Sequence, residues 1–378
     1  MTTREKLIQA QKKDKLPKIT VYNRIDGPGS SLDLRLFQQA MWHMIGIPED
    51  PFNDSSMAWS KGLPRTLGIT IDVGTEITAE PAPEGKLGIE SVDFGFSYLY
   101  DKDEIPPIKE NWLLKIMGVF NLSGVKFVTR NLFPELKSAA LGGSASVTTG
   151  VAILANKLAR EKFDEHQLVG LASVMEHDLE VSITGTQEQS NVVFGGVVDY
   201  IWFPWGIPGE GSFYGTSIRQ EILKEADYQA LKDRLDLYFL MERFSGDVNS
   251  VWHQKLKKVQ GFKLHRKKID LAYDYKEALR TKSWEAAVEP IRQYREIRTQ
   301  LCENYMSKPA WEIEEICQKY DAASFPVGGG GGSSLVYSPD PKILTLIRNI
   351  LKDDFKLIDY QILPYGHKVE NLEGFLSK

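Results

Sequence analysis

Apolar and polar positions alternate with a strand-like period at Ile19 to Tyr22, from Gly68 to Glu80 and from Gly124 to Thr129. Gly74 interrupts the second of these runs, as a residue at a β-bulge does, and Lys86 to Gly95 reads as its hairpin neighbour. Helical spacing predominates elsewhere. Leu34 to Ile45 carries it, and so does the stretch from Ala140 to Phe163, where Val147, Val151, Leu154, Ala155 and Leu158 form one face. A second such helix, from His166 to Ile183, runs into Gly185-Thr186-Gln187-Glu188-Gln189, and two short strand pieces are expected around Gly195 and Gly196. The second half is richer in helix, at 239–256, 265–280, 282–305, 309–320 and 341–351, with strands after the glycines at 328–332 and near 356–363. No internal repeat is evident. The pattern is α+β.

The chain has 378 residues, and a single core rarely grows past ~250 residues. Two domains are therefore expected, 1–205 and 206–378, divided in the turn-rich segment from Pro204 to Gly211. Trp202 and Trp205 flank that boundary and suit either core packing or a sugar cleft.

Charge changes the picture mainly by exclusion. With 46 basic and 51 acidic side chains the net charge is −5, which removes the broad electrostatic footprint of a nucleic-acid binder. One basic stretch remains, Lys255, Lys257, Lys258, Lys263, Arg266, Lys267 and Lys268, interleaved with apolar residues at helical spacing. A solvated helix face, a surface near an anionic substrate and a polyanion or membrane contact all fit it. Cys302 and Cys317 form no C-x-x-C pair, which suits a reducing compartment, and His177 beside Glu176 has no second histidine or cysteine at ligand spacing. The basic N-terminal stretch has no apolar core and no run of 18 apolar residues occurs, so neither secretion nor membrane spanning is expected and a cytoplasmic location is.

The candidate chemistry lies in the glycines. Neither a G-x-x-x-x-G-K-[ST] loop nor a G-x-G-x-x-G opening a βαβ unit is present. Ala140-Leu141-Gly142-Gly143-Ser144-Ala145-Ser146 instead precedes a long apolar helix, whose first amides face outward, and both ordinary capping and phosphate binding fit it. The run of five glycines at 328–332 reads as a linker or as a tight loop that lets a ligand or a second backbone come close.

Four ordered segments resemble those of the GHMP kinases, the superfamily of galactokinase, homoserine kinase, mevalonate kinase and phosphomevalonate kinase. The likeness is greatest to sugar kinases related to D-glycero-D-manno-heptose 7-phosphate kinase. Arg24-Ile25-Asp26-Gly27-Pro28-Gly29-Ser30-Ser31-Leu32-Asp33 is similar to R-I-S-F-A-G-G-G-T-D, and Ala140 to Ser146 to the G-L-G-S-S-S-A phosphate loop. Gly185 to Gln189 followed by Phe194-Gly195-Gly196 is similar to G-K-Q-D-Q and F-G-G, and Val327 to Ser333 to the late G-A-G-G-G-G-F loop.

The resemblance implies an N-terminal domain like ribosomal protein S5 and a ferredoxin-like C-terminal domain, with ATP and a monosaccharide or sugar phosphate meeting between them. It implies that Leu141, Gly142, Gly143, Ser144, Ala145 and Ser146 cradle phosphates. Ser144 and Glu176 would hold Mg²⁺, with Glu180 a second match for the carboxylate. Glu188 would be the base or orienting carboxylate, and Arg24 would join Asp33 in orienting the sugar for reaction or pair only with a structural carboxylate; Gly329 and Gly330 would also meet the sugar. The expected partners are that small molecule and, in a homodimer, a second copy of the chain, with neither nucleic acid nor membrane.

Departures from the family pattern fall at the reacting end. Glu188 stands where the sugar kinases have aspartate, Thr186 where they have lysine and Gly143 where the loop has its first serine; Ser30, Ser31 and Leu32 replace G-G-T. These leave two alternatives: the same fold acting on another small alcohol or acid, or a catalytically weak nucleotide- or sugar-binding sensor.

Overall fold

The computed structural model describes residues 1–34, 61–137, 139–160, 163–181, 184–202, 217–240, 251, 259–329 and 331–376. The strands are β1 (Lys18–Asp26), β2 (Arg65–Pro81), β3 (Lys86–Ser91), β4 (Phe96–Asp101), β5 (Val125–Asn131), β6 (Val197–Trp202), β7 (Ser217–Leu223), β8 (Leu235–Phe239), β9 (Ala323–Val327), β10 (Ser333–Tyr337), β11 (Lys356–Leu357) and β12 (His367–Glu370). They form two sheets. Eight strands run in the order β12-β1-β2-β5-β3-β4, with β6 on β2 and β7 on β6; four more run β11-β8-β10-β9. The boundary expected at 205/206 falls among residues 203–216, outside the described residues, while β7 and β12 both return to the first sheet.

The long strand β2 organises the first sheet. Its Arg65–Ile69 end pairs with β6 and its Thr75–Pro81 end with β5, while β1 runs along the other edge. Between these two partners, Val73, Gly74 and Thr75 line a cavity. The bulge expected at Gly74 is present: Tyr22 pairs with Gly74 and Asn23 with Ile71, leaving Asp72 and Val73 as extra residues on β2. A side chain at 74 would meet the Val21 carbonyl oxygen at 2.0 Å.

The hairpin expected between β2 and β3 is not formed. β5 lies between them, antiparallel to β2 and parallel to β3, whose hairpin partner is β4. Alternation marks a strand's buried face without naming its neighbour, and the Ala82 and Gly124 amides, bonded to Gly124 and Lys86 carbonyls, hold β5 in the gap. Asn191 to Phe194 is also no strand. It ends the helix Gln187–Phe194, which Gly195 and Gly196, at φ 66° and 89°, break before the fully buried β6.

The polar N-terminus forms a helix, Thr3–Lys12, closed by a Thr2/Glu5 capping box and seated through buried Leu7. The helix expected at 265–280 starts by Val259, and the one expected at 282–305 divides into a short turn, Trp284–Ala287, and the helix Val288–Leu301. Of the strand expected at 356–363 only Lys356 and Leu357 pair as one, and Ile362 makes a single bridge to Ile71. The helices expected at 34–45 and 239–256 lie mostly outside the described residues; Phe239 ends β8.

One apolar core joins the halves, running from Ile25, Leu67 and Ile71 to Tyr275, Tyr294, Phe325 and Leu335. A second lies under the helices Trp112–Val119, Gly143–Ala159 and Glu165–Asp178. Trp202 belongs to the interior, stacked on Tyr200 with its ring N–H on Thr66 Oγ1 at 3.0 Å. Cys302 and Cys317 are buried and not joined in a disulfide.

Close packing makes opposite demands on two helical glycines. A side chain at Gly150 would press on Val21 Cγ1 at 2.6 Å and Ile77 Cδ1 at 2.7 Å, whereas nothing lies within 4 Å of one at exposed Gly118. Gly150→Val should cost about 1–3 kcal/mol through overpacking, and Gly118→Ala should gain about 0.5–1 kcal/mol through helix preference. Thermal unfolding of the two variants checks both signs.

Candidate active site

A cavity of about 630 Å³ opens where the helices Gly143–Ala159 and Gln187–Phe194 both begin. Gly142 precedes the first of these at φ 82°, and a side chain there would meet Glu188 Cγ at 2.7 Å. Glycine thus lets the first turn of one helix pass against a carboxylate in the first turn of the other. Gly143 has open space around it, and Leu141, which is buried, lines the cavity with Gly142, Gly143, Ser144 and Ala145. Ser146 is buried in the first turn, its amide on the Gly142 carbonyl at 3.0 Å.

Ser144 and Glu176 meet here. The serine hydroxyl donates to Glu176 Oε1 at 2.7 Å, and Gln189 Nε2 donates to Oε2 at 2.9 Å. Burial pushes the Glu176 carboxyl up to about 7, Glu188 adding to the shift against the hydrogen bonds from Ser144, Thr148 and Gln189. Glu180 is exposed beyond the end of that helix and does not line the cavity, and His177 is exposed beside it.

Glu188 faces the same cavity and pairs with Arg24 Nη2. Arg24 is buried on β1, its amide on the Leu141 carbonyl and its Nη1 3.7 Å from Asp26 Oδ1. Among the described residues its Nε and Nη1 make no hydrogen bond. Asp33 is buried at the cavity wall, where its Oδ2 accepts the Gln187 amide at 2.9 Å. A side chain at Gly185 would strike that oxygen at 1.9 Å.

Gly328 and Gly329 close another side of the cavity, and Gly330 lies outside the described residues. At φ 68° Gly328 comes so close to Ala140 that a side chain would meet its carbonyl oxygen at 2.1 Å. Of the two readings of this segment, the tight loop is the one formed.

The glycines at 27 and 29 do different work. A side chain at 27 would press on Tyr275 of the helix Val259–Arg280, and one at 29 on the Arg65 carbonyl oxygen at 2.5 Å and on Ala272 of that helix, so these glycines admit the helix and the β2 backbone while Ser30, Ser31 and Asp33 face the cavity. The same helix carries much of the basic stretch. Lys263 and Lys267 are exposed, but Lys268 is buried with Nζ on the Ser30 carbonyl and Arg266 reaches the Gly62 carbonyl; Lys255, Lys257 and Lys258 lie outside the described residues. The face is only partly solvated.

Residues 111–196 match the family model described as the GHMP kinases N terminal domain. Solved structures extend the likeness over the whole chain. The Lin0012 protein of Listeria innocua is 12% identical with a TM-score of 0.71, covering 93% of this chain and 99% of its own. A D-glycero-D-manno-heptose 1-phosphate kinase of Bacteriodes thetaiotaomicron is 15% identical with a TM-score of 0.65, covering 94% and 98%. The mevalonate kinase of Methanococcus jannaschii is 16% identical with a TM-score of 0.63, covering 92% and 98%. No curated protein matches in sequence. The chain has the GHMP kinase fold.

The residues present fit the nucleotide and metal that the GHMP kinase fold implies. Outward amides at the start of a 17-residue helix suit phosphates, and a hydroxyl and a carboxylate 2.7 Å apart are hard oxygen donors. Mg²⁺ characteristically takes one or two such groups and fills its remaining positions with phosphate and water. No cluster of three or more histidine, cysteine or acidic side chains suited to a metal occurs among the described residues.

Two groups at this site escaped the sequence reading. Gln189 orients Glu176, and Asp26 lies between Arg24 and Arg298. The first sits in the G-x-Q-x-Q run, whose second glutamine was an available signal; the second depends on Arg298, 272 residues away, and had none.

Burial lifts the Asp33 carboxyl to about 6 from the usual 3.8, Glu188 adding to the shift against the Gln187 amide and Arg24. The folded chain then binds a proton that the unfolded chain has released, so stability falls as pH rises through that window. Asp33→Asn should melt a few degrees above the parent at pH 8 and lose this advantage at pH 4. Paired melting curves check the crossover.

Proposed function

We propose that the protein transfers the γ-phosphoryl group of ATP to a hydroxyl of a monosaccharide or sugar phosphate, with Mg²⁺ as cofactor. The observation that carries this reading is one cavity lined by the phosphate-loop residues 142–145, the Ser144/Glu176 oxygen pair and the Arg24/Glu188 ion pair. Phosphoryl transfer asks a protein for little beyond that: neutralise the phosphates and set the attacking oxygen in line. The heptose 1-phosphate kinase among the structural neighbours supports a sugar acceptor.

The first amides of the Gly143–Ala159 helix hold the phosphates. Ser144 and Glu176 would hold Mg²⁺, which supplies charge neutralisation and a template for the phosphates. The acceptor hydroxyl oxygen bonds to the γ-phosphorus, the bond from that phosphorus to the bridging oxygen breaks, and ADP leaves. Glu188 takes the hydroxyl proton, and Arg24 fixes that carboxylate and stabilises negative charge on the attacking oxygen. Asp33 accepts a hydrogen bond from the acceptor. Glu188 retains a carboxylate where sugar kinases have aspartate, and the missing side chain at Gly142 leaves room for its Cγ.

ATP consumption across hexoses, heptoses, their phosphates and mevalonate tests the reading. At least one acceptor should stimulate turnover, and Glu188→Gln should lower it roughly 10²–10⁴-fold while Mg·ADP still binds. Nucleotide binding without turnover of any acceptor would leave a binding protein and not a kinase. Selective turnover of mevalonate would favour the small-alcohol reading.

A further inference from the structure

The late glycine loop is tied to Arg24 by a buried charge network whose other members, Asp26 and Arg298, have no part in the phosphoryl-transfer steps above. Gly328 N–H donates to Asp26 Oδ1 at 2.9 Å, and that same oxygen lies 3.7 Å from Arg24 Nη1. Asp26 Oδ2 lies 3.9 Å from Arg298 Nη1. Arg298, buried on the helix Val288–Leu301, also grips the loop: Nη1 donates to the Pro326 carbonyl at 3.1 Å and Nη2 to the Gly328 carbonyl. Its guanidinium stacks over Tyr305 at 4.0 Å, and the Tyr305 hydroxyl donates to the Gly328 carbonyl at 3.0 Å.

Three things therefore meet at Asp26: the arginine that pairs with Glu188, the arginine that holds the loop, and an amide of the loop itself. Burial disfavours the charge on Asp26, but the two arginines, together with the Ser30 hydroxyl and the Gly328 amide, outweigh it and hold the carboxyl below its usual range. The phosphate loop joins the same assembly, because Gly328 rests on Ala140, the Ser333 hydroxyl donates to the Ala139 carbonyl at 2.7 Å, and the Arg24 amide donates to the Leu141 carbonyl at 3.3 Å. Asp26 occupies the position of the serine in R-I-S, where a neutral hydroxyl could not balance two guanidinium groups.

We propose that Asp26 and Arg298 are positioning residues that lock the late glycine loop to Arg24 and the phosphate loop, so that loop placement and the geometry of the Arg24/Glu188 pair are set together. Their effect on turnover rests on the kinase reading above; the lock itself does not.

The test compares the full-length parent with Asp26→Asn, Arg298→Lys and the Asp26→Asn/Arg298→Met double variant. The amide introduced by Asp26→Asn can still accept the Gly328 N–H but leaves two arginines facing each other, and the ammonium introduced by Arg298→Lys keeps the charge but cannot reach both carbonyls. Hydrogen exchange is followed over Pro326–Ser334, with residues 65–81 as internal reference, alongside Mg·ADP affinity and turnover of the acceptor panel. Both single variants should speed loop exchange at least ~10-fold at unchanged reference exchange. Turnover should fall ~10–100-fold with Mg·ADP affinity within about threefold, and the double variant should lose no more than the worse single, as coupled partners do. Unchanged loop exchange overturns the lock, as does a rise matched by the reference segment; a loosened loop with parental turnover overturns the positioning role. If the parent turns over no acceptor, the exchange result alone decides the lock, and the kinase reading has failed separately.

Discussion

The cleft depends on how closely the backbone at Gly142 passes Glu188. With a side chain excluded at 142, the outward amides of one helix start share a wall with the carboxylate of another, and Arg24 enters from β1 to balance that carboxylate. Partial positive charge at the helix start and full charge on Arg24 sit where a transferring phosphoryl group would need them. Asp33, Glu176 and Glu188 line the same cavity, with Asp93 also in its wall. Burial and mutual repulsion raise Asp33 and Glu176 above their ordinary range, so the folded chain carries a stability cost at its reacting centre.

The two sheets are joined by a shared apolar core and by backbone contact at the cavity rim. Tyr275 and Ala272 pack where Gly27 and Gly29 make room, while Gly328 rests on Ala140. These glycines lack side chains for different reasons: at 27 to admit a helix, at 29 to clear the Arg65 carbonyl as well as that helix, at 142 to clear Glu188 Cγ and at 328 to clear the Ala140 carbonyl. The fold thus holds the phosphate loop, the first motif segment and the late glycine loop as one wall.

Much of this was legible in the residues themselves. The order of the four motif segments pointed to the GHMP fold, and Ser144, Glu176, Glu188, Arg24 and Asp33 do come to one cavity. The bulge at Gly74 and the apolar face of the Gly143–Ala159 helix followed from local pattern. Long-range pairing did not. Nothing in the alternation of Lys86 to Ser91 says that β5 would slip between β2 and β3, because a strand's period records which face is buried and not which neighbour it takes. Asn191 to Phe194 looked extended because its paired valines suit a strand, but a helix entering at Thr186 and stopping at Gly195 overrode that preference. Asp26 carries no such local signal, since its meaning depends on Arg298 and Gly328.

The most direct measurement is the structure of the complex with Mg²⁺ and a non-hydrolysable ATP analogue. The account predicts phosphates against the amides of residues 142–145 and Mg²⁺ held by Ser144 Oγ and Glu176 at about 2.0–2.1 Å, with Glu188 facing the γ-phosphate across an acceptor-sized gap. A nucleotide bound outside this cavity, or a metal that touches neither Ser144 nor Glu176, would contradict it.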